Sequence, residues 1–365
     1  MNRCTVNLWK VWRAMIACLL GGTVITGVVQ AEEYFDRYGL MAGSASVDIG
    51  VQPLGVPSGV ISAVMRRDRI LRRQLQSIGQ PLKSHPFKRG ADMLPLLADR
   101  RLEVGLLGDM PTLLAAAQGS VLIVGLVKQT STAIVAKNAD QLGDLAGKKI
   151  GYVPISSAHH TLLQGLKAAG LNEAQVSLVA MGFDELTDAL ANGRIDAFAA
   201  WEPAPTIALQ ANERNHIVFR GRTADYFVIG RDFATSRPAT ARYLAAGLVR
   251  AIEWMRRSQA NLDKASRWAL DESAAFAGQA TRLPVPEISR ITRREILGVP
   301  SAPVVVQSSA LGHPLRSEFD FLRQLGKLSE KDKWENVVSG FAYNGLAQVM
   351  SERKSFQIDE FDFEE

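Results

Sequence analysis

The chain has 365 residues, of which 47% are hydrophobic and 22% are charged, and its formal net charge is +5 at pH 7. This composition is globular and excludes a disordered chain, and the length is sufficient for two lobes of ordinary domain size. No run of basic residues is interleaved with aromatic ones, so the charge gives no evidence of nucleic-acid binding.

The first 31 residues have the features of a cleaved export signal. Basic residues precede an apolar run at 14–29, and Val29-Gln30-Ala31 supplies the small-x-small pattern of a cleavage site. The run is too short to predict a membrane span. We therefore expect a periplasmic protein. Lipid attachment at Cys18 is a less favoured alternative, because most of the apolar run follows that residue.

Both cysteines, Cys4 and Cys18, fall inside this export segment. A mature chain that begins at Glu32 would contain no cysteine. Thiol catalysis, a cysteine zinc site and a disulfide scaffold are therefore excluded for the mature protein.

One sequence pattern occurs twice. Residues 91–109 (ADMLPLLADRRLEVGLLGD) align without gaps on residues 184–202 (DELTDALANGRIDAFAAWE), at an offset of 93. Upstream, IGVQPLGVPSG at 49–59 resembles IGYVPISSAHH at 150–160. Each copy alternates strand and helix patterns, which predicts an α/β fold with a mainly parallel sheet flanked by helices.

In chain order, the first copy predicts strands near 47–52 and 103–107, with helices near 58–67, 92–100 and 111–118. The second copy predicts strands near 149–153, 176–180 and 195–200, with helices near 158–169, 183–192 and 204–211. Two extended segments, 132–137 and 216–230, join the copies, which is the connectivity of a hinge. The pattern is helical from Pro238 onward, and the last fifteen residues, with six acids and two bases, predict a flexible tail.

The stretch GYVPISSAHHTLLQGLKAAG at 151–170 predicts a strand, a turn and then a helix. The start of a helix has unpaired N–H groups and the positive end of the helix dipole, so it can bind an anion or a polar ligand. The alternative is that Ser156 or Ser157 simply caps its own helix. His159 is interpreted as a neutral hydrogen-bonding group of the site or as part of the cap. No HxxxH or HxH spacing supports a metal site, so no metal or cofactor is predicted.

Five segments carry a resemblance to a known family. In order they are IGVQPLG, FKRGADMLPLL, GDMP, LAGKKIGYVPISSAHHTLLQGLKAAGL and AAWEPA, all between residues 46 and 260. Their order and spacing resemble the periplasmic substrate-binding proteins of ABC importers, in the nitrate, sulfonate and taurine group. The resemblance implies a two-lobed, hinge-bending fold of the second periplasmic-binding-protein class. It also implies a monomeric receptor that delivers a solute to a membrane permease without chemistry.

The resemblance also implies domain boundaries and a site. The signal covers 1–31, the first lobe 32–131 and 223–345, the second lobe 132–222, and the acidic tail 346–365. The ligand site implied by the family's loops consists of Gln52, Pro53, Leu54, Lys88, Arg89, Asp109, Met110, Thr130, Ser131, Ser156, Ser157, His159, Trp201 and Glu202.

The residue types leave the ligand's charge open. Lys88 and Arg89 could balance an anion or could simply be solvated, whereas Asp109 and Glu202 would repel a bare anion. Glu202 could instead accept a hydrogen bond from a ligand amine or hold a neighbouring loop, and Trp201 could form an apolar wall or pack in the core. A small anion, a zwitterion such as an aminosulfonate, and a neutral heterocycle all remain possible.

Three functions are compatible with these features. The first is a solute receptor of an ABC importer, for a sulfonate, taurine, nitrate or a similar solute. The second is a ligand-sensing subunit that docks on a membrane receptor. The third, an enzyme resembling pyrimidine-precursor synthases, is disfavoured by the export signal and by the absence of cysteine from the mature chain.

Overall fold

A mixed sheet of eight strands forms the centre of the protein, in a computed structural model that describes residues 38–280, 282–297 and 315–364. The predicted export signal, with Cys4 and Cys18, lies outside the described residues. The chain divides into a short unit, residues 1–41, and a main unit, residues 42–365, which contains the whole sheet.

The strand order in the sheet is β2-β1-β3-β8-β4-β7-β5-β6. The strands are β1 (Val47–Val51), β2 (Leu82–Pro86), β3 (Val104–Gly108), β4 (Val121–Lys137), β5 (Lys149–Tyr152), β6 (Ser177–Ala180), β7 (Ala197–Ala200) and β8 (Asn215–Gly230). We call β1 to β3 the first half of the sheet and β5 to β7 the second half. Pairing is parallel within each half, whereas β4 and β8 are antiparallel to each other and to the halves beside them.

Helices cover both faces of this sheet. They are α1 (Ser58–Arg66), α2 (Arg69–Ser77), α3 (Leu94–Ala98), α4 (Asp109–Ala117), α5 (Ser157–Ala168), α6 (Leu186–Ala191), α7 (Ala204–Ala211), α8 (Arg231–Ser236), α9 (Pro238–Arg257), α10 (Gln259–Ala277), α11 (Val285–Leu297), α12 (Arg316–Gln324), α13 (Trp334–Phe341) and α14 (Gly345–Ser351). Short 3-10 turns at Gly90–Met93 and Phe183–Glu185 precede α3 and α6. The predicted α/β fold with flanking helices is confirmed.

The two repeated segments occupy equivalent places in the two halves. Residues 91–109 contribute α3 and β3, and residues 184–202 contribute α6 and β7. Because the strand order is the same when counted inward from either edge of the sheet, β3 and β7 both lie next to the long central strands. The predicted extended segments at 132–137 and 216–230 are parts of β4 and β8.

Alternation along the strands builds a core on each face of the second half. Phe198 and Ala200 of β7 pack on one face with Leu186 and Leu190. Ala197 and Ala199 pack on the other face with residues of α5, such as Leu162. Successive side chains of a strand point to opposite faces, so a short apolar strand such as AFAA can serve both cores.

The acidic segment predicted to be a flexible tail is docked on the body of the protein. Phe356 and Ile358 are buried, and the carbonyl oxygen of Phe356 accepts a hydrogen bond from Arg250 at 2.8 Å. The carboxylate of Asp362 pairs with Arg73 of α2 at 2.7 Å. The prediction of a flexible tail was wrong because acidic residues of this segment form ion pairs with the basic helix α2. Apolar residues of the same segment are buried against the rest of the protein.

Candidate functional site

A cavity lies where loops and helix starts from both halves of the sheet meet the middle of β4 and β8. Its free space is about 50 Å³, measured for the centres of water-sized spheres. One water needs about 10–15 Å³ of such space, so the cavity has room for a few waters or one small solute. Its polar lining consists of Gln52, Ser58, Arg89, Lys128, Thr132, Ser156, Ser157, Thr223 and Asp225.

The two serines at the start of α5 have different partners. Ser156 is the N-cap residue, because its Oγ accepts a hydrogen bond from the backbone N–H of His159 at 3.2 Å. The Ser157 hydroxyl instead donates to the carboxylate of Asp109, which begins α4 after β3. Ser157 therefore joins the second half of the sheet to the first.

Asp109 is a buried junction rather than a lining residue of the cavity. Besides Ser157, it accepts hydrogen bonds from the backbone N–H groups of Met110 at 2.8 Å and Ala224 at 3.1 Å. Burial raises the pKa of Asp109 to about 6, and the nearby charge of Asp225 adds to this shift. The carboxyl group thus ties together α4, α5 and β8.

The central strands carry a buried charge pair. Lys128 of β4 is opposite Asp225 of β8 in the register, with Nζ 3.9 Å from Oδ1, and Nζ lies 3.8 Å from Oε2 of Glu295. Burial alone would lower the pKa of Lys128, but the charges of Asp225 and Glu295 outweigh burial and raise it. Asp225 also accepts a hydrogen bond from Ser58, the first residue of α1, at 2.5 Å. A cationic ammonium group is therefore held in the wall of the cavity.

Trp201 supplies the aromatic part of the cavity wall. Its ring stacks on Phe183, with ring centroids 4.6 Å apart and an interplanar angle of 9°. It lines the cavity and also packs against both cores of the second half of the sheet. Trp201 therefore forms part of the cavity wall and also packs in the core.

Five residues of the sequence-predicted site line the cavity: Gln52, Arg89, Ser156, Ser157 and Trp201. Arg89 is paired with Asp92 at 2.6 Å, and the Gln52 amide donates to the carbonyl oxygen of Leu106 at 2.8 Å. Asp109 is not among the lining residues, but it accepts a hydrogen bond from the lining residue Ser157.

The other predicted residues lie beside the cavity or face away from it. Pro53 and Met110 are buried, Leu54 packs against the core of the second half, and Thr130 and Ser131 lie on β4 among the lining residues. Lys88 pairs with Asp184 at 3.0 Å.

His159 and Glu202 are not among the lining residues and contact neighbouring strands and helices. The His159 ring lies 4.6 Å from Tyr152 and 6.2 Å from Phe321 of α12, between centroids, and burial lowers its pKa to about 4. The Glu202 carboxylate accepts hydrogen bonds from Thr206 at 2.7 Å and from Arg294 at 2.8 Å.

The sequence interpretation missed four polar lining residues of the central strands and one at the start of α1. Lys128 is the first charge after an apolar run in β4, and this local signal could have drawn attention to it. The omitted residues are Ser58, Lys128, Thr132, Thr223 and Asp225.

Within the described ranges, no cluster of three or more His, Cys, Asp or Glu residues could hold a metal ion. In the same residues no helix has both the length and the apolar character needed to cross a membrane.

Residues 85–260, which include the second half of the sheet and much of the cavity lining, match a known protein family. The family is NMT1/THI5 like. Among curated proteins, the taurine-binding periplasmic protein of Escherichia coli K12 is similar to this chain, with 27% identity over 202 residues. That alignment covers 50% of this chain and 62% of the relative, less than two thirds of the relative's length.

Solved structures show the same fold. The alkanesulfonate-binding protein of Xanthomonas axonopodis pv. citri bound to MOPS has a TM-score of 0.60 and 23% identity, covering 82% of this chain and 99% of that protein. The periplasmic aliphatic sulphonate binding protein of Escherichia coli has a TM-score of 0.63 and 19% identity, covering 82% and 92%. The predicted resemblance to periplasmic binding proteins is confirmed.

Proposed function

We propose that this protein is an extracytoplasmic solute receptor that binds a small acidic or zwitterionic solute in the cavity and delivers it to an ABC permease. The observation that carries this proposal is the cavity itself, which is lined by helix starts from both halves of the sheet, Ser58 of α1 and Ser157 of α5. The relatives that bind taurine and alkanesulfonates support a sulfonate as the solute.

The proposal includes two lobes that close on the solute. The first lobe comprises residues 32–131 and 223–345, the second 132–222, and β4 and β8 would be the hinge. Contacts that cross between the halves support it: the N–H of Val56 donates to the carbonyl oxygen of Glu202 at 3.1 Å, and Lys88 pairs with Asp184 at 3.0 Å. These contacts would form on closure.

The cavity wall contains one ammonium group, that of Lys128, which an acidic group of the solute could contact. Lys128 and Arg89 contribute positive charge and Asp225 contributes negative charge to the lining. An aminosulfonate such as taurine has one group of each charge and could pair with both Lys128 and Asp225. A simple cation would be repelled by the ammonium group of Lys128.

We also propose that residues 1–31 are removed on export to the periplasm. The periplasmic fraction should then contain a soluble species that begins at Glu32. A lipid-modified Cys18 would contradict this part of the proposal.

A thermal-shift screen of residues 32–365 tests the function. The panel contains taurine, alkanesulfonates, aromatic sulfonates, nitrate, bicarbonate and pyrimidines. A solute at 100 times its dissociation constant stabilises the folded protein by about 2.7 kcal/mol, which raises the melting temperature by about 4 °C for a protein of this size. We expect a sulfonate to give the largest shift and to be recovered unchanged. No shift with any solute, or turnover of the solute, would contradict the proposal.

A further inference from the structure

Two buried polar groups in the cavity wall have no hydrogen-bond partner in the part of the chain that the structure describes. The Oγ1 atom of Thr223 is buried and unpaired, and the residue is 4% exposed. The Lys128 ammonium, on a residue that is 3% exposed, lies 3.8 and 3.9 Å from its nearest carboxylate oxygens, beyond hydrogen-bond range. Buried polar groups are usually paired, and a solute oxygen in the cavity would satisfy both of these groups.

The register of the central strands brings these groups together. Lys128 is opposite Asp225, and Thr223 is two residues before Asp225 on the same strand, so both side chains share one face of the sheet. Diagonal neighbours of this kind lie about 7–8 Å apart, a distance that one small ligand group can bridge. A register shift between Leu126 and Lys128 marks a bulge, which re-aims the side chain that follows it.

The other hydroxyl groups of the lining are already engaged. Each has a partner within the protein, which leaves Thr223 as the hydroxyl in need of one. The pairs are Ser58 with Asp225, Thr132 with Thr161, Ser156 with the carbonyl oxygen of Val153, and Ser157 with Asp109.

We propose that Lys128 and Thr223 form an inner subsite on the central strands, where both donate hydrogen bonds to one oxyanion of the solute, such as a sulfonate. This inference rests on the proposed function and specifies which residues recognise the acidic group. Asp225 and Glu295 keep the ammonium charged without occupying its donors. A solute without an acceptor oxygen at this position would leave the ammonium with no direct hydrogen bond, which costs affinity.

Calorimetric titration of residues 32–365 tests the subsite. The probes are taurine, ethanesulfonate and its uncharged isostere ethanesulfonamide. The variants are Lys128→Met, the double variant Lys128→Met with Glu295→Gln, and Thr223→Val. The double variant removes the ammonium together with one of the two acids beside it, Glu295, which would otherwise keep only Arg294 as a counter-charge, so it keeps the test valid if Lys128→Met alone does not fold. Thr112→Val is the matched control, because that buried hydroxyl donates to the carbonyl oxygen of Leu107 outside the cavity.

A hydrogen bond to a charged group contributes about 1.5–3 kcal/mol, so each loss should weaken sulfonate binding by about 10- to 150-fold. We expect this loss in the lysine variants and in Thr223→Val, with Thr112→Val binding as the wild type does. The wild type should also prefer ethanesulfonate to ethanesulfonamide by a factor in the same range.

The outcomes separate the inference from the function. Wild-type binding of sulfonates that is retained in Lys128→Met with Glu295→Gln would overturn the inference and leave the proposed function intact. Wild-type binding of ethanesulfonamide as tight as that of ethanesulfonate would do the same. Binding of no solute by the folded wild type would overturn the proposed function, and the inference with it.

Discussion

Single substitutions of the two serines at the start of α5 should have different effects. Ser156→Ala removes the N-cap bond to the backbone N–H of His159. Loss of such a cap costs about 1 kcal/mol of unfolding free energy. Because this bond lies within one end of α5, we expect the substitution to lower stability and to change solute affinity little.

Ser157→Ala removes a bond that joins the two halves of the sheet. Its hydroxyl donates to the carboxylate of Asp109, and a hydrogen bond to a charged group contributes about 1.5–3 kcal/mol. If the halves separate when the solute leaves, as proposed, this bond exists only in the closed form. Its loss should then weaken solute binding by about 10- to 150-fold and alter the stability of the solute-free protein much less.

Two measurements on each variant decide the question. Calorimetric titration with the solute of largest thermal shift gives the affinity, and urea unfolding without solute gives the stability. The double substitution should show the sum of the single effects if the two serines act independently. Unchanged affinity in Ser157→Ala, with a loss of 1.5–3 kcal/mol in the solute-free protein, would refute the argument that this bond forms on closure.

Three further expectations follow from the contacts. Burial raises the pKa of Asp109 from 3.8 to about 6, so its contribution to stability is present below pH 4 and is lost as pH rises through 6. Relative to Asp109→Asn, the wild type should lose up to about 3 kcal/mol of unfolding free energy between pH 4 and 7 in urea titrations, and a constant difference would contradict this. Removal of residues 352–365 should lower the unfolding free energy by at least about 3 kcal/mol, because it exposes the pockets of Phe356 and Ile358, and an unchanged urea midpoint would contradict the docking of this segment. Solute binding should change the tryptophan fluorescence of the wild type, and Trp201→Phe should abolish most of that change. A full signal in that variant would show that the Trp201 ring does not meet the solute.

Much of the fold could be predicted because its signals are local. The repeated segments carry strand and helix periodicity within about twenty residues, and each element predicted in them is present. The strand β2 was missed because its sequence, LKSHP, is short, polar and ends in proline. The antiparallel pairing of β4 and β8 was not predicted either, since it joins residues far apart in the chain.

The same limit explains which site residues were found. Helix starts have local signals, and Ser156 and Ser157 do line the cavity. His159 is two residues beyond Ser157, which turns its side chain by about 200° around the helix, so it packs toward Tyr152 instead. Lys128 was missed because a bulge and the pairing with β8 decide which way it points, and neither can be deduced from the strand alone.

The duplicated halves carry equivalent acids that have diverged in their contacts. Asp109 and Glu202 are related by the offset of 93 and both follow a strand. Asp109 accepts a hydrogen bond from the opposite half, whereas Glu202 accepts one from Arg294 of α11. The central strands are unequal too, because the charge that lines the cavity is an ammonium on β4 and a carboxylate on β8. Under the proposed inner subsite, this inequality gives a solute with one acidic end a single orientation of lowest energy, although the frame around it is nearly symmetric.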